Sequence, residues 1–438
     1  MPVNSLFDRC RTFRSSIAVS SLFALRLFAA LPFLSCDSEP PDGTPSTSDG
    51  SACDHALTNR ACWSTFGVSK IVPGGYGFFG GAFDGRYLYL AGNGQPGATY
   101  MTRFDTQADF LSEAAWSTFN IGAFDYAAYR FAGAAFDGRY IYYAPNSTPN
   151  KIHVARYDTQ ASFEAPAAWS TFNVEPIAAA PVLSFKGAVF DGRYVYFIPE
   201  ADDSDAPGGK VVRYDSQSPF DTAASWSMFD TVRVNPKAQR FSGGAFDGRY
   251  LYMAPAGTKE GERGFAARYD TQASFEQTSS WSTFDTTALD PWAFEFAGAV
   301  FDGRYLYFAA RAFGGRTPRY DTQGSFEDPL SWSLFDAQMF VKEQPQNFGG
   351  VVFDGRYVYF LPNATFGARH DTTADFAEPR SWSGFAKNAI PFRESPTAGG
   401  IFDGRYLYLI PANLTVNLSR FEVRSTPSLP PTNRWSFF

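Results

Sequence analysis

The chain has 438 residues, of which 18% are aromatic, and a formal net charge of −7. Its charges are mixed along the sequence and form no basic stripe, so we expect no nucleic-acid partner. Length alone would allow two or three domains. A repeat that covers most of the chain instead indicates one closed unit.

The first 35 residues have the layout of a signal peptide. Arg9, Arg11 and Arg14 form a basic start, and the stretch 17–34 is largely apolar. Arg26 divides this apolar stretch, which makes a transmembrane helix a weaker interpretation. We therefore expect residues 1–35 to direct the chain out of the cytoplasm.

Cys36 stands at the end of this segment, after Phe33, Leu34 and Ser35. The junction resembles the lipobox of bacterial lipoproteins, which implies removal of the preceding residues and a lipid anchor on Cys36. An ordinary secretory signal is the alternative. The expected location is the bacterial cell envelope, lipid-anchored at the outer membrane or surface, or the secreted fraction. In that case we expect the protein to contact the membrane only through its N-terminal lipid.

Residues 36–52 are rich in Pro, Ser, Thr and Asp, and we expect a disordered polar tether there. Cys53 and Cys62 follow. In an oxidising compartment these two cysteines are predicted to form a disulfide that closes a short loop. Metal binding by two lone cysteines is the weaker interpretation.

The segment 53–438 contains one motif, Phe-Asp-Gly-Arg-Tyr, seven times. The copies begin at Phe83, Phe136, Phe190, Phe246, Phe301, Phe353 and Phe402. A period of about fifty residues is typical of repeat architectures.

The sequence pattern of each repeat predicts four short antiparallel strands, A to D. Asp-Gly between two aromatic runs indicates a hairpin with a type I′ turn, which separates strand A, 187–190, from strand B, 193–198. Strand C ends in Arg-Tyr-Asp-Thr-Gln, and strand D begins at a Trp, as in 281–285. Strand B is apolar on both faces and needs cover on both sides. We therefore predict an all-β fold, a seven-bladed β-propeller of four-stranded antiparallel blades.

An extra D-like strand, 63–66, precedes the first strand A. We expect it to form the outer strand of the last blade, so that both ends of the propeller meet in one sheet and the disulfide braces the closure. The stretch 435–438, Trp-Ser-Phe-Phe, is a second candidate for this strand.

The repeats are similar to those of kelch-type propellers. Gly80 and Gly81, the run Tyr87-Leu88-Tyr89, and Tyr157-Asp158 followed by Trp169 carry the resemblance. The glycine pair precedes the aromatic strand here, whereas it follows that strand in kelch repeats. The resemblance implies a binding platform more than a particular chemistry.

The copies differ mainly in the connections B–C and D–A, which lie at the same end of every blade. Since function tends to sit on variable loops held by a rigid scaffold, we predict a binding surface on this face, for a glycan or a protein at the cell envelope. The candidate ligand-binding residues are Tyr126, Tyr129, Arg130, His153, Arg263, Trp292, Glu295, Arg316 and Arg393.

The residues repeated in every copy, such as Arg193, Tyr194, Asp215 and Trp226, are interpreted as packing residues, with an Arg–Asp ion pair. Sugar sites between the blades, built from an aromatic ring and an Arg, are the alternative.

No cofactor is expected. Asp202, Asp203 and Asp205 could hold Ca²⁺ through oxygen ligands, but a solvated acidic loop is favoured. Signals for catalysis are poor, and we assign no catalytic residue. The main hypothesis is a monomeric binding module. The alternatives are an enzyme acting on a polysaccharide or glycoconjugate, with carboxylates at the channel mouth and His153, and a structural envelope protein.

Overall fold

The structure is a computed structural model. It describes residues 53–74, 77–146, 152–178, 184–200, 208–257, 264–311, 315–340, 347–363, 366–386, 396–412 and 417–425. Within these ranges no helix is long and apolar enough to cross a membrane.

The described residues form twenty-eight short strands. The first group contains β1 (Trp63–Gly67), β2 (Phe78–Phe83), β3 (Tyr87–Gly92), β4 (Tyr100–Asp105), β5 (Trp116–Asn120), β6 (Phe131–Phe136), β7 (Tyr140–Pro145), β8 (His153–Asp158) and β9 (Trp169–Asn173). The second contains β10 (Ser184–Phe190), β11 (Tyr194–Glu200), β12 (Lys210–Asp215), β13 (Trp226–Asp230), β14 (Phe241–Phe246), β15 (Tyr250–Pro255), β16 (Phe265–Asp270) and β17 (Trp281–Asp285). The third contains β18 (Phe296–Phe301), β19 (Tyr305–Ala310), β20 (Arg316–Asp321), β21 (Trp332–Asp336), β22 (Phe348–Phe353), β23 (Tyr357–Pro362), β24 (Phe366–Asp371), β25 (Trp382–Ala386), β26 (Thr397–Phe402), β27 (Tyr406–Pro411) and β28 (Asn417–Glu422).

Helical segments are confined to single turns in the connections. The α-helical turns are α1 (Ile121–Phe124) and α2 (Glu175–Ala178). The 3₁₀ turns are Arg60–Cys62, Val68–Lys70, Glu113–Ala115, Pro166–Ala168, Ala223–Ser225, Thr231–Arg233, Thr278–Ser280, Thr286–Ala288, Pro329–Ser331, Ala337–Phe340 and Pro379–Ser381.

The prediction of seven four-stranded blades is wrong. Five sheets are separate four-stranded blades: β10–β13, β14–β17, β18–β21, β22–β25, and β26–β28 with β1. The other eight strands form one continuous sheet in the order β5-β4-β3-β2-β6-β7-β8-β9. This sheet arises because β2 and β6, the innermost strands of two repeats, pair in parallel at Phe79 and Ala132. A repeat pattern predicts the strands of each copy, but it does not indicate hydrogen bonding between neighbouring copies.

The innermost strands surround a central channel. Each one packs against the innermost strand of the next repeat, and β26 packs against β2, so the arrangement closes on itself. The fold is therefore an all-β propeller with four-stranded blades, as expected, although the number of separate blades differs.

The hairpin turn between strands A and B is a three-residue loop, not the predicted type I′ turn. In the loop 84–86 only Gly85 has a positive φ, of 101°. The Asp84 carboxylate accepts hydrogen bonds from the backbone N–H groups of Arg86 (2.8 Å) and Tyr87 (2.6 Å), and from the Tyr89 hydroxyl (2.7 Å). The recurrent Asp thus holds the turn through its side chain, which explains why every copy retains it.

Aromatic stacking joins neighbouring repeats. Phe119 at the end of β5 lies parallel to Trp169 of β9, with ring centroids 4.7 Å apart. The Trp169 indole N–H donates to the Phe163 carbonyl (2.9 Å), so its one polar group is satisfied inside the core. The same pair recurs as Phe172 with Trp226.

An arginine packs between aromatic rings of neighbouring repeats. The Arg213 guanidinium lies 4.2 Å from the ring centroids of both Tyr194 and Phe275. The protein's own cation–π contacts therefore occupy this aromatic position. This arrangement favours the packing interpretation of the repeated residues.

The repeated Arg–Asp ion pair is confirmed. Arg193 contacts Asp215 at 2.8 Å, and this hydrogen bond is the main cause that lowers the pKa of the Asp215 carboxyl. The Arg193 side chain is half exposed, so we expect the pair to fix the loop geometry more than to add stability.

The predicted closure by the N-terminal strand is also confirmed. β1 pairs antiparallel with β28, with Trp63 opposite Phe421. The alternative closing strand, 435–438, lies outside the described residues. Cys53 and Cys62 form the expected disulfide just before β1. His55, inside this loop, lies 3.1 Å from the Glu422 carbonyl oxygen through Nδ1, so the loop is attached to the last strand.

Candidate binding site at the channel mouth

A β-bulge shapes the start of each of the seven innermost strands. In β2 the pairing with β3 shifts between Phe78 and Gly81, which leaves Phe79 and Gly80 without a partner residue in β3, and Phe79 pairs with Ala132 of β6 instead. Gly80 has a φ of 80°, a conformation that an L side chain rarely adopts. Each innermost strand carries a Gly at the equivalent position, three places before the Phe of its Phe-Asp-Gly-Arg-Tyr motif, so small residues line the channel.

A cavity of about 310 Å³ lies in the channel. Its lining residues lie where the A strands begin and where the B strands end. The cavity therefore opens on the face that carries the variable B–C and D–A loops. Most lining residues are Gly or Ala, and the larger ones include Phe79, Lys186, Arg311 and Asn363. The volume is at the lower end for ligand pockets, so the cavity suits a small chemical group.

The wall of the cavity is asymmetric because the residue four places before the Phe of each Phe-Asp-Gly-Arg-Tyr motif varies. In chain order this residue is Phe79, Ala132, Lys186, Ser242, Ala297, Gly349 and Ala398. Only Phe79 and Lys186 are large, and the small Ala132 lies between them. The Lys186 ammonium reaches to 5.4 Å from the centroid of the Phe79 ring.

Lys186 and Arg311, the two cations of the cavity wall, each form an ion pair with a glutamate outside the cavity lining. Lys186 Nζ lies 2.8 Å from Glu200 Oε1, and the Asn146 amide donates to the same carboxylate. Arg311 Nε lies 3.6 Å from Glu295 Oε1. Neither glutamate lines the cavity, so its charged lining residues, among those that the structure describes, are the cations Lys186 and Arg311.

Three D–A loops share one backbone scaffold despite their different sequences. In 121–130, 231–240 and 286–295, an Asp or Asn side chain accepts a hydrogen bond from the backbone N–H two residues later. The pairs are Asp125 with Ala127, Asn235 with Lys237, and Asp290 with Trp292. The variable side chains are therefore presented on a repeated turn.

The candidates on these loops have different environments. Tyr126 and Trp292 are exposed, at 65% and 56%, whereas Tyr129 is 5% exposed and belongs to the core. Arg130 is partly buried, and its φ of 51° is shared in sign by Arg240 at the equivalent position. Tyr126 and Trp292 are thus the exposed aromatic candidates of this face.

His153 takes part in a contact between a D–A loop and the following repeat. His153 Nδ1 lies 2.6 Å from Asp125 Oδ2, and the Thr171 hydroxyl donates to the same oxygen (2.7 Å). Burial raises the pKa of the Asp125 carboxyl, but hydrogen bonds from Thr171 and His153 outweigh it, and the pKa lies below the ordinary value. This geometry assigns His153 a positioning role at the loop.

Arg316 occupies the same place in a later repeat. Its Nε donates to Asp290 Oδ2 (3.0 Å), and its NH1 contacts the Asp336 carboxylate. Burial lowers the pKa of the Arg316 guanidinium, but the two carboxylates outweigh this effect and raise it. Arg316 and His153 therefore hold loops rather than line the cavity.

The cavity brings together few of the residues predicted from the sequence. Glu295 comes nearest, through its contact with Arg311, and the other described candidates do not line the cavity. Cys36, Arg263 and Arg393, and the Ca²⁺ candidates Asp202, Asp203 and Asp205, lie outside the described residues. In the described ranges, no group of three or more His, Cys, Asp or Glu is placed to hold a metal ion.

Sequence reasoning missed Phe79 and Lys186. A signal for them was present in the aligned repeats, since the residue four places before the Phe of the motif varies while the Gly after it is constant. Variation at a position inside a conserved strand indicates that packing between sheets does not fix it.

No family model matches the sequence, and no curated protein matches it. The structure is similar to that of YCF48 from Cyanidioschyzon merolae, with a TM-score of 0.54 and 13% sequence identity, over 84% of this chain and 100% of that chain. At this identity the similarity shows the fold alone. The protein belongs to the structural class of β-propellers.

Proposed function

We propose that this protein is a binding module that recognises a glycan on the face carrying the variable loops. The observation that carries the proposal is a small cavity at the channel mouth on the same face as the exposed rings of Tyr126 and Trp292. Aromatic rings supply apolar contact area at a low entropic cost. The resemblance to kelch-type repeats also supports a binding role.

Binding is favoured over catalysis by the state of the acid–base groups. Glu200 and Glu295 are each paired with a cation, and His153 is paired with Asp125. None of these three groups is among the described residues that line the cavity, so a substrate in the cavity would not contact them. We therefore assign the mouth to recognition.

A glycan array probed with the full chain in detergent tests this function. We expect the double variant Trp292→Ala with Tyr126→Ala to weaken binding roughly tenfold, since an aromatic contact contributes about 0.5–1.5 kcal/mol. The matched control is Leu330→Ala, because Leu330 is exposed at 92% in a C–D connection on the opposite face. Binding of no glycan, or an equal loss in the control, would contradict the proposal and direct the search to protein partners.

We further propose that the module is held at the bacterial envelope by a lipid on Cys36. The basic start, the apolar stretch 17–34 and the position of Cys36 support this anchor. Mass spectrometry of the mature N-terminus should find a lipidated Cys36, and Cys36→Ala should release the protein from membranes. A mature chain that begins after Cys36, or an unmodified Cys36, would contradict the anchor.

A further inference from the structure

The charged residues that line the cavity, within the described part of the chain, have one sign. Lys186 and Arg311 line it, and no Asp or Glu appears among its described lining residues. The whole chain, in contrast, has a net charge of −7. Each cation is paired with a glutamate, but the cationic member of each pair is the one that lines the cavity, so its N–H donors are directed to an incoming anion.

Glu200 and Glu295 fix the positions of the two cationic side chains. Glu200 contacts Lys186 at 2.8 Å, and Glu295 contacts Arg311 at 3.6 Å. An ammonium has three donors and a guanidinium has five. Each cation therefore keeps donors beyond those directed at its glutamate, and these could bind a carboxylate.

The remaining lining groups suit a hydroxylated ring more than a bare ion. Phe79 is partly buried and supplies an apolar surface, while Ser242 and Asn363 supply polar side chains. A sugar hydroxyl can donate to such side chains or accept from them.

Resting on the proposed glycan-binding function, we infer that the channel cavity takes a sugar unit that bears a carboxylate. Its carboxylate would bind Lys186 or Arg311, and one face of its ring would contact Phe79. The cavity volume of about 310 Å³ suits one such unit at the end of a chain. The exposed aromatic residues of the loop face would contact the units that follow.

The first test compares two ligands that differ only at C6, methyl β-glucuronide and methyl β-glucoside, by calorimetry with the full chain. We expect the glucuronide to bind roughly tenfold more tightly, as a charge-assisted hydrogen bond would provide. This preference should decrease at high salt. Arg311→Gln should reduce the preference, and Phe79→Ala should weaken both ligands.

Gly187 offers a way to block the cavity without disturbing the fold. It lines the cavity, its φ is not in the left-handed region, and no atom lies within 4 Å of the place where its Cβ would stand. Gly187→Leu should abolish binding of the glucuronide, while the smaller Gly187→Ala and the distant Leu330→Ala should retain it.

The outcomes separate the two proposals. Equal affinity for the two glycosides, or a glucuronide that still binds Gly187→Leu, would overturn the carboxylate inference while glycan binding on the array still stands. If the array shows no bound glycan, the proposed function fails and this inference fails with it.

Discussion

His370 stands at a core position of strand C where the other six repeats have tyrosine or phenylalanine. Tyr157, at the equivalent position, donates its hydroxyl to the carbonyl of Ala161, four residues later, at 2.7 Å. His370 is fully buried, its Nδ1 lies 3.3 Å from the Ser381 hydroxyl, and its Nε2 has no hydrogen-bond partner among the described residues. Burial lowers the pKa of His370 to about 4.

The low pKa of His370 predicts a loss of stability in acid. The unfolded chain binds the proton below pH 6.5, whereas the folded protein binds it only below about 4. The free energy of unfolding should therefore fall as the pH drops through this window, by about 3 kcal/mol. His370→Tyr should remove this part of the pH dependence, as measured by urea unfolding at several pH values.

His370→Phe is the matched control, because it also removes the titration but offers no hydroxyl. Both variants should lose the pH dependence, and only the tyrosine should add stability at neutral pH, through a bond to the carbonyl of Ala374. An unchanged pH dependence in both variants would show that burial of His370 is not its cause.

At the scale of single elements, the carboxylate of Asp125 fixes the D–A loop 121–130. Asp125 accepts hydrogen bonds from Ala127 of its own turn and from Thr171 of the following repeat, and it contacts His153 there. The turn and the neighbouring sheet are therefore held by the same side chain.

We expect Asp125→Ala to lower the free energy of unfolding by about 1–3 kcal/mol, because several partly buried groups lose their partner together. The matched control is Asp109→Ala. Asp109 accepts the same turn bond, from Leu111 N–H at 3.0 Å, and no contact to a neighbouring strand is described for it. Equal shifts of the urea midpoint in both variants would contradict a role between repeats.

The sequence predicted the elements better than the site. The Asp-Gly turns and the Trp of each strand D indicated four strands per repeat, because these residues have local geometric requirements. The candidate residues were chosen on the loops, and the structure uses His153 and Arg316 to hold those loops. Lys186 could not be assigned to the cavity from its local sequence, since its position depends on a bulge and on the small Ala132 beside it.

At the scale of the whole molecule, the closure determines whether the fold is complete. β1 is the outer strand of the last sheet, and the disulfide and His55 attach the chain before it to β28. The sequence predicted this closure because the Trp motif at Trp63 has no strand A before it. It could not predict the pairing of β2 with β6, which depends on contacts between copies.

Loss of the disulfide should weaken the closure without abolishing the fold. We expect Cys53→Ser with Cys62→Ser to lower the free energy of unfolding by about 2–3 kcal/mol, from the added freedom of the unfolded loop. In reductant, the native protein should unfold at a lower temperature and lose a similar free energy of unfolding. Reductant should not shift the double variant, and a shift there would assign the effect to another cysteine.

The join between β1 and β28 lies within a sheet, not between two sheets. The first strand of the chain therefore belongs to the last sheet, and the second strand begins the first complete repeat. A gene duplication that inserted one whole repeat would leave the first and last strands complementary to each other. The join itself does not depend on how many repeats lie between these two strands.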